Sequence, residues 1–240
     1  MKIRDFIRNN KEYFEDFITR STYHSNGIEG NTLSYAETYA IIFNNNEFSV
    51  SAKPREIYEA INHKYAISHV LDSLDENLTE KLIKDIGIII NKNIAEIDGY
   101  RKLPAFIKGA EHIPPSPAEL PQKMMYYVHN YNHTAYEDIF TKIAENHIYF
   151  ERIHPFEDGN GRIGRLLINY ELLKNNMPPI VIPKEERSEY FKMIAQMDIM
   201  NLAHYFKELE VKEMERIDQF KLMDKSISAK LEVNKEKSKT

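Results

Sequence analysis

The twelve residues from His154 to Arg165, H-P-F-E-D-G-N-G-R-I-G-R, constrain this chain more than any other stretch. Most are His, acid, Gly, Asn or Arg, types that a fold does not select for packing. Two apolar-periodic segments flank them. Upstream, over 135–153, Ile139, Phe140, Ile143, His147, Phe150 and Ile153 recur at helical spacing. Downstream, over 163–173, Ile163, Leu166, Leu167, Tyr170 and Leu173 keep the same period. The polar stretch is therefore predicted to join two helices and to end as the first turn of the second. A helix N-terminus presents unpaired N–H groups and the positive end of the macrodipole. Gly159 and Gly161 let the backbone turn and approach a ligand without Cβ obstruction, which suits an anion, above all phosphate. Arg162 and Arg165, three apart, project from one face and can hold phosphate oxygens bidentately. Asp158 is a hard oxygen ligand suited to Mg²⁺ beside phosphates, although an acid here also suits a helix N-cap. His154 is the group whose proton can move near neutral pH. A metal, a polyphosphate and a base are the equipment of phosphoryl or nucleotidyl transfer.

His154, Phe156, Asp158, Gly159, Asn160, Gly161, Arg162 and Arg165 fill the specified positions of H-x-F-x-[D/E]-G-N-G-R-x-x-R, and the chain resembles the Fic family. The resemblance implies a protein adenylyltransferase that moves AMP from ATP to a hydroxyl of a target protein, and to itself. It implies an all-α, Fic-type helical bundle with one short β-hairpin flap near the active site. It gives His154 as general base, Asp158 as the Mg²⁺ ligand between the α- and β-phosphates, and Asn160 with adjacent N–H groups as stabilisers of charge on the α-phosphate. Arg162 and Arg165 would bind the β- and γ-phosphates. By the family's layout Tyr190 meets the nucleotide, and Asp198 stands where some members carry Asn, which leaves the base contact open. Phe156 reads as an apolar anchor and Glu157 as solvent-facing.

Further upstream, Tyr23 to Asn31 carries two glycines and two asparagines, the composition of a helix stop and loop. Ser25-x-x-x-Glu29-Gly30 also resembles the Fic inhibitory motif, [S/T]-x-x-x-E-[G/N]. That resemblance implies an N-terminal inhibitory helix whose Glu29 pairs with Arg165 where the γ-phosphate belongs, with Ser25 one turn earlier fixing the carboxylate or its helix. Gly159-x-Gly161-x-x-Gly164 matches a dinucleotide fingerprint, but no strand precedes it and no βαβ unit surrounds it. Alternatives are a Fic-type enzyme with another donor (UMP, GMP, phosphocholine), one that removes AMP, and a non-catalytic nucleotide sensor.

Composition narrows the partners. The 240 residues carry a net charge of −5, so no general basic field for nucleic acid is expected. Cysteine is absent, which excludes disulfides and thiolate sites and accords with a cytoplasmic location. No apolar run suggests a membrane span or a leader. The inhibitory helix leaves surfaces free for a homodimer.

Taken in order, 3–26 reads as a first helix, and 1–33 as the unit carrying the inhibitory motif. Ser34 and Glu37 form a capping box for a helix from Tyr35 to Asn44. A long helix from Lys53 to Leu74 carries His63 and His69, too far apart for a shared ligand and read as packing or surface residues. Thr79 caps a helix through Ile97, whose run Ile86 to Ile90 suggests burial on all sides. The catalytic core is placed at 79–205. Within it, 99–117 is non-helical, with Ala105 to Lys108 and Glu111 to Ile113 as short strands around Gly109. By resemblance this is the flap, and Ile107, Lys108, Gly109, Ala110, Glu111 and His112 would dock the target segment as an added strand. Ser116, Pro117 and Glu119 open a helix to His133, with Met124, Met125, Tyr127, Val128 and Tyr131 in its core face. A break at 175–179, an extended run at 180–182, a helix from Pro183 to Met197 and an amphipathic helix from Asn201 to Met223 follow. Residues 224–240 are expected to fray.

Overall fold

The computed structural model describes residues 2–44, 50–107 and 112–237, with side chains described to residue 224. Its helices are α1 (Ile3–Asn9), α2 (Lys11–Ile28), α3 (Tyr35–Phe43), α4 (Pro54–Asp72), α5 (Glu80–Asn91), α6 (Leu120–His133), α7 (Ile139–Ile153), α8 (Asn160–Lys174), a 3-10 turn at Lys184–Glu186, α9 (Arg187–Ala195) and α10 (Ile199–Lys237).

The centre is α8. From Asn160 to Leu173 all of its residues except Gly161 are buried, polar ones included. Helices α4, α5 and α7 pack on it. One apolar cluster gathers α1 to α6 against Ile163, Leu166, Leu167 and Tyr170. The other joins Ile28 of α2 and Ile168 and Leu172 of α8 to α7, α9 and α10. The motif helix is therefore held on both sides, and its N-terminus is fixed relative to the rest. Gly164 permits the close crossing with α7: a Cβ there would meet Glu151 Oε1 at 2.6 Å and His147 Cε1 at 2.9 Å. That packing need, not a dinucleotide, explains the third glycine.

Several sequence expectations change. The first helix is two, because Asn10 takes extended φ/ψ of −99° and 100° and its side chain accepts from Tyr13 N–H. Helix α2 then runs on to Ile28, so the stretch that reads as a loop is helical through Ser25 and Asn26. Helix α5 ends at Asn91, not Ile97. There the Asn91 amide donates to Gly87 O and Asp158 O, and Asn62 donates to Ile90 O and Lys92 O, taking carbonyls near the helix end. The run from Ile86 to Ile90 is not buried all round: Ile88 is 48% exposed. Met125 likewise faces out, while Met124, Tyr127 and Tyr131 are core. The backbone after Met223 stays helical to Lys237, a continuation that its lysines and glutamates favour.

The expected β-hairpin flap is a correction. Lys108, Gly109, Ala110 and Glu111 lie outside the described residues, and 99–107 and 112–117 contain no strand. The physical reason is visible in Arg101. Its guanidinium donates to the carbonyls of Leu103 and Pro115, at 2.9 and 2.5 Å, as well as to His154 O at 2.8 Å. The two ends of the stretch are thus held through a side chain and not a ladder, and Pro104, Pro114 and Pro115, which flank the expected strands, have no N–H with which to extend one.

Candidate active site

Helix α7 delivers His154. Asp138 caps its start, and His154 ends it with φ 49° and ψ 60°, a left-handed conformation that costs energy for a non-glycine residue and recurs at functional sites. Pro155 disfavours continued helix before it. Arg101 then pins the turn through His154 O, and its own N–H donates to Pro155 O at 2.9 Å. The imidazole Nδ1 is buried without a partner. Burial, with the Arg101 charge adding to it, holds the His154 pKa below its usual 6.5. The ring is therefore neutral at pH 7 and able to accept a proton.

The loop is closed by Asn160. Its amide accepts from Phe156 N–H at 2.9 Å and donates to Phe156 O at 2.8 Å. Both ends of the side chain are thus used in shaping the turn, and the expected contact to an α-phosphate would fall to backbone N–H groups. Phe156 is fully buried against Tyr100 and Gly87, as an anchor should be. Gly159, with φ 82°, precedes the first turn of α8.

Glu29 sits at the C-terminal cap of α2, over the N-terminal turn of α8. A Cβ on Gly161 would come within 2.3 Å of Glu29 Oε1, so only glycine lets the carboxylate lie there. Arg165 donates from Nη2 to Glu29 Oε1 at 2.7 Å and to Ser25 O at 2.9 Å, and from Nε to Ser25 Oγ at 2.9 Å. Its Nη1 is buried and unpartnered. Burial opposes the charge on Arg165, and Glu29, joined by Tyr190 and Glu151, outweighs it, so the guanidinium's pKa is raised. An internal anion thus occupies the site where dipole, glycine and guanidinium converge.

Arg162 is buried to 1% exposure. Its Nη2 donates to Asp158 Oδ1 at 3.1 Å, and Nη1 lies 3.4 Å from Glu59 Oε1. Asp158 Oδ1 also accepts from Gly159 N–H at 2.6 Å, and Arg55 pairs with Oδ2.

Other expected site residues lie elsewhere. Tyr190 is 1% exposed and shares a 2.6 Å hydrogen bond with His147 Nε2, so it backs the site and does not line an open surface. Asp198 caps α10 through Asn201, at 3.2 Å to its N–H and 2.7 Å to its amide. His112 bridges to Arg152, accepting from its guanidinium and donating to its carbonyl, both at 2.9 Å. Ile107 is half-buried beside the undescribed residues.

Sequence reasoning missed several participants. Arg55 and Glu59 are legible as an i,i+4 pair on a helix, but nothing local says that they face Asp158 and Arg162. Arg101 is a lone arginine in a loop. His147, two turns before His154, is buried, and Glu151, one turn before it, is largely covered with Oε1 out of reach of water; burial first, opposed by Arg165, pushes the Glu151 carboxyl up to about 8, and burial with Arg165 holds His147 down to about 3.

The profile of the Fic/DOC family matches residues 77–172, which include the whole loop from His154 to Arg165. Residues 77–172 are thus a Fic domain. It is 30% identical over 204 residues to the Protein adenylyltransferase Fic of Drosophila virilis, covering 80% of this chain and 41% of that one. It is equally 30% identical to the Protein adenylyltransferase Fic of Drosophila melanogaster, with 80% and 40% covered, so it spans about two fifths of these curated relatives. A Fic domain containing signaling protein from Bacteroides thetaiotaomicron shares the fold with a TM-score of 0.80 and 27% identity, over 88% of this chain and 89% of that one. Fic-1 of C. elegans shares it with a TM-score of 0.74 at 24% identity, over 90% and 67%.

Proposed function

We propose that the chain transfers AMP from ATP to a hydroxyl of a target protein and of itself, and that Glu29 holds it inactive. The observation that carries this reading is the Glu29 carboxylate seated on Gly161 and Arg165, an anion of the chain's own at the anion site of the motif helix. The names of the fly relatives support the chemistry, and the chain's share of their length makes it a proposal for this protein.

In the reaction, the target hydroxyl attacks the α-phosphorus, a new P–O bond forms, the α–β bridging bond breaks and pyrophosphate leaves. His154, neutral in its buried turn, takes the hydroxyl proton. Arg162 and Arg165 hold the phosphate tail once Glu29 withdraws, and backbone N–H groups of the α8 first turn face the charge that grows on the α-phosphate. Among the described residues no group of three His, Asp or Glu stands ready for a metal. A single carboxylate fits Mg²⁺, which keeps waters and takes most other ligands from phosphates, and Asp158 is the residue that would hold it. Such an ion neutralises phosphate charge.

Glu29→Gly is expected to raise incorporation of labelled AMP, and His154→Ala in that background to abolish it. Nucleotide binding without incorporation by Glu29→Gly would rule out transfer of AMP. Because His154 titrates below 6.5, the acid limb of the Glu29→Gly rate profile should lie below that pH; a limb centred above pH 7 would remove His154 as the base.

A further inference from the structure

Arg55 stands at the mouth of the site and does not belong to the motif. Its Nη2 pairs with Asp158 Oδ2, and its Nε donates to Glu59 Oε1 at 3.0 Å. Asp158 Oδ1 is engaged by its neighbour's N–H and by Arg162. Arg55 therefore covers the second oxygen of the one carboxylate that the motif offers to a cation. The two ends of the Arg55 contact differ. The Arg55 side chain is 56% exposed and Asp158 30%, whereas Glu59 is buried. Glu59 is further fixed by Asn31 Nδ2, at 2.9 Å to Oε2. Breaking the Asp158 contact thus exposes two groups already near water, while the Glu59 contact keeps the guanidinium tethered on α4.

We propose that Arg55 is a placeholder for the divalent cation: a positioning residue whose guanidinium occupies Asp158 until a metal–nucleotide complex displaces it. The inference rests on the transferase reading above. In the closed state the chain supplies both charges of its absent ligand, the Glu29 anion at Arg165 and the Arg55 cation at Asp158. A guanidinium and a divalent ion cannot share Oδ2, because like charges at contact repel. The metal must therefore compete with Arg55, and Arg55 sets the concentration at which it wins. Asn31 follows Glu29 by two residues and also grips Glu59, so the segment that carries one stand-in and the guanidinium that is the other are held by one buried carboxylate.

The test uses the full chain carrying Glu29→Gly, with a non-hydrolysable ATP analogue or ADP bound and Mn²⁺ as the probe, followed by its paramagnetic signal. Arg55→Gln should lower the Mn²⁺ midpoint by about threefold, the size of an exposed ion pair. Arg55→Lys should stay near the parent, and Asp158→Asn should lose Mn²⁺ binding. Nucleotide affinity in EDTA should be the same with and without Arg55→Gln. An unchanged or raised Mn²⁺ midpoint overturns the proposal, as does weakened metal-free nucleotide binding, which would make Arg55 a phosphate ligand. Metal binding is read without AMP transfer, so this failure is distinct from failure of the transferase itself. If Glu29→Gly binds neither nucleotide, both readings fall.

Discussion

Gly87 and Phe156 face each other where α5 meets the loop before α8. A Cβ on Gly87 would stand 2.9 to 3.3 Å from three atoms of the Phe156 ring. The ring cannot bend away as a flexible chain end can, so Gly87→Ala must shift the loop that begins with His154. Overpacking of this kind costs about 1–3 kcal/mol; the urea midpoint should fall, and activity in the Glu29→Gly background should fall with it. Ser25 shows a milder case. Its hydroxyl accepts from Arg165 Nε, and its carbonyl from Nη2. Ser25→Ala removes only the first, so AMP incorporation should rise above wild type yet stay below Glu29→Gly. Equal incorporation in both variants would show that the carboxylate adds nothing to the lock.

Helix α2 carries Glu29 at one end, and its other end is fastened to α10. Glu213, buried, accepts from Tyr13 Oη at 2.6 Å and from Arg20 at 2.9 and 2.7 Å. Asp16 takes Arg216 Nε at 2.7 Å and Arg20 Nε at 2.8 Å. Glu213→Ala would leave the buried Tyr13 hydroxyl without its acceptor and Arg20 with Asp16 as its remaining carboxylate, a loss of about 1–3 kcal/mol, readable by urea denaturation. Glu213→Gln, which keeps the acceptor for Tyr13, should lose less. A neutral result for Glu213→Ala would mean that the apolar contacts of α2 alone hold the helix. The break at Asn10 belongs to the same element: the short α1 can turn away to pack Ile3, Phe6 and Ile7 into the core while α2 keeps its own line.

Across the whole molecule, buried titrating groups set the pH of greatest stability. His63 and His147 are held down to about 3 from their usual 6.5, by burial first and then by Arg165, joined for His63 by Arg162. The stability they contribute is full above 6.5 and is lost as pH falls toward 3. Glu151 runs the other way, raised from 4.5 to about 8; its contribution is full below 4.5 and is lost as pH rises to 8. Between 6.5 and 4.5 the three groups together take up one net proton on unfolding, a slope of about 1.4 kcal/mol per pH unit. Stability should therefore peak near pH 6.5 and decline on both sides. Glu151→Gln should abolish the alkaline decline and steepen the acid one, as urea midpoints from pH 5 to 8.5 would show. A wild-type midpoint that keeps rising to pH 8.5 would mean that Glu151 is ionised in the folded protein.

Sequence by itself determined what short range decides. The apolar period on either side of His154 to Arg165 gives two helices and a polar turn, and spacing alone puts Arg162 and Arg165 on adjacent turns of α8. The resemblance carried by Ser25 and Glu29 named the pair that meets Arg165. Tertiary structure decided what depends on which surfaces touch. Only the packing of α4 on α8 brings Arg55 and Glu59, about a hundred residues away, to Asp158 and Arg162. Burial behind the loop makes His147, His63 and Glu151 neutral, and no local pattern encodes desolvation. The strand reading of 99–117 went astray for the same reason: short runs on either side of Gly109 suggest a hairpin, but Arg101, bonded to His154 O, ties the ends of the stretch together through Leu103 O and Pro115 O. Local spacing fixes direction along one helix, while charge and hydrogen-bond partners are set by the neighbours that the fold delivers.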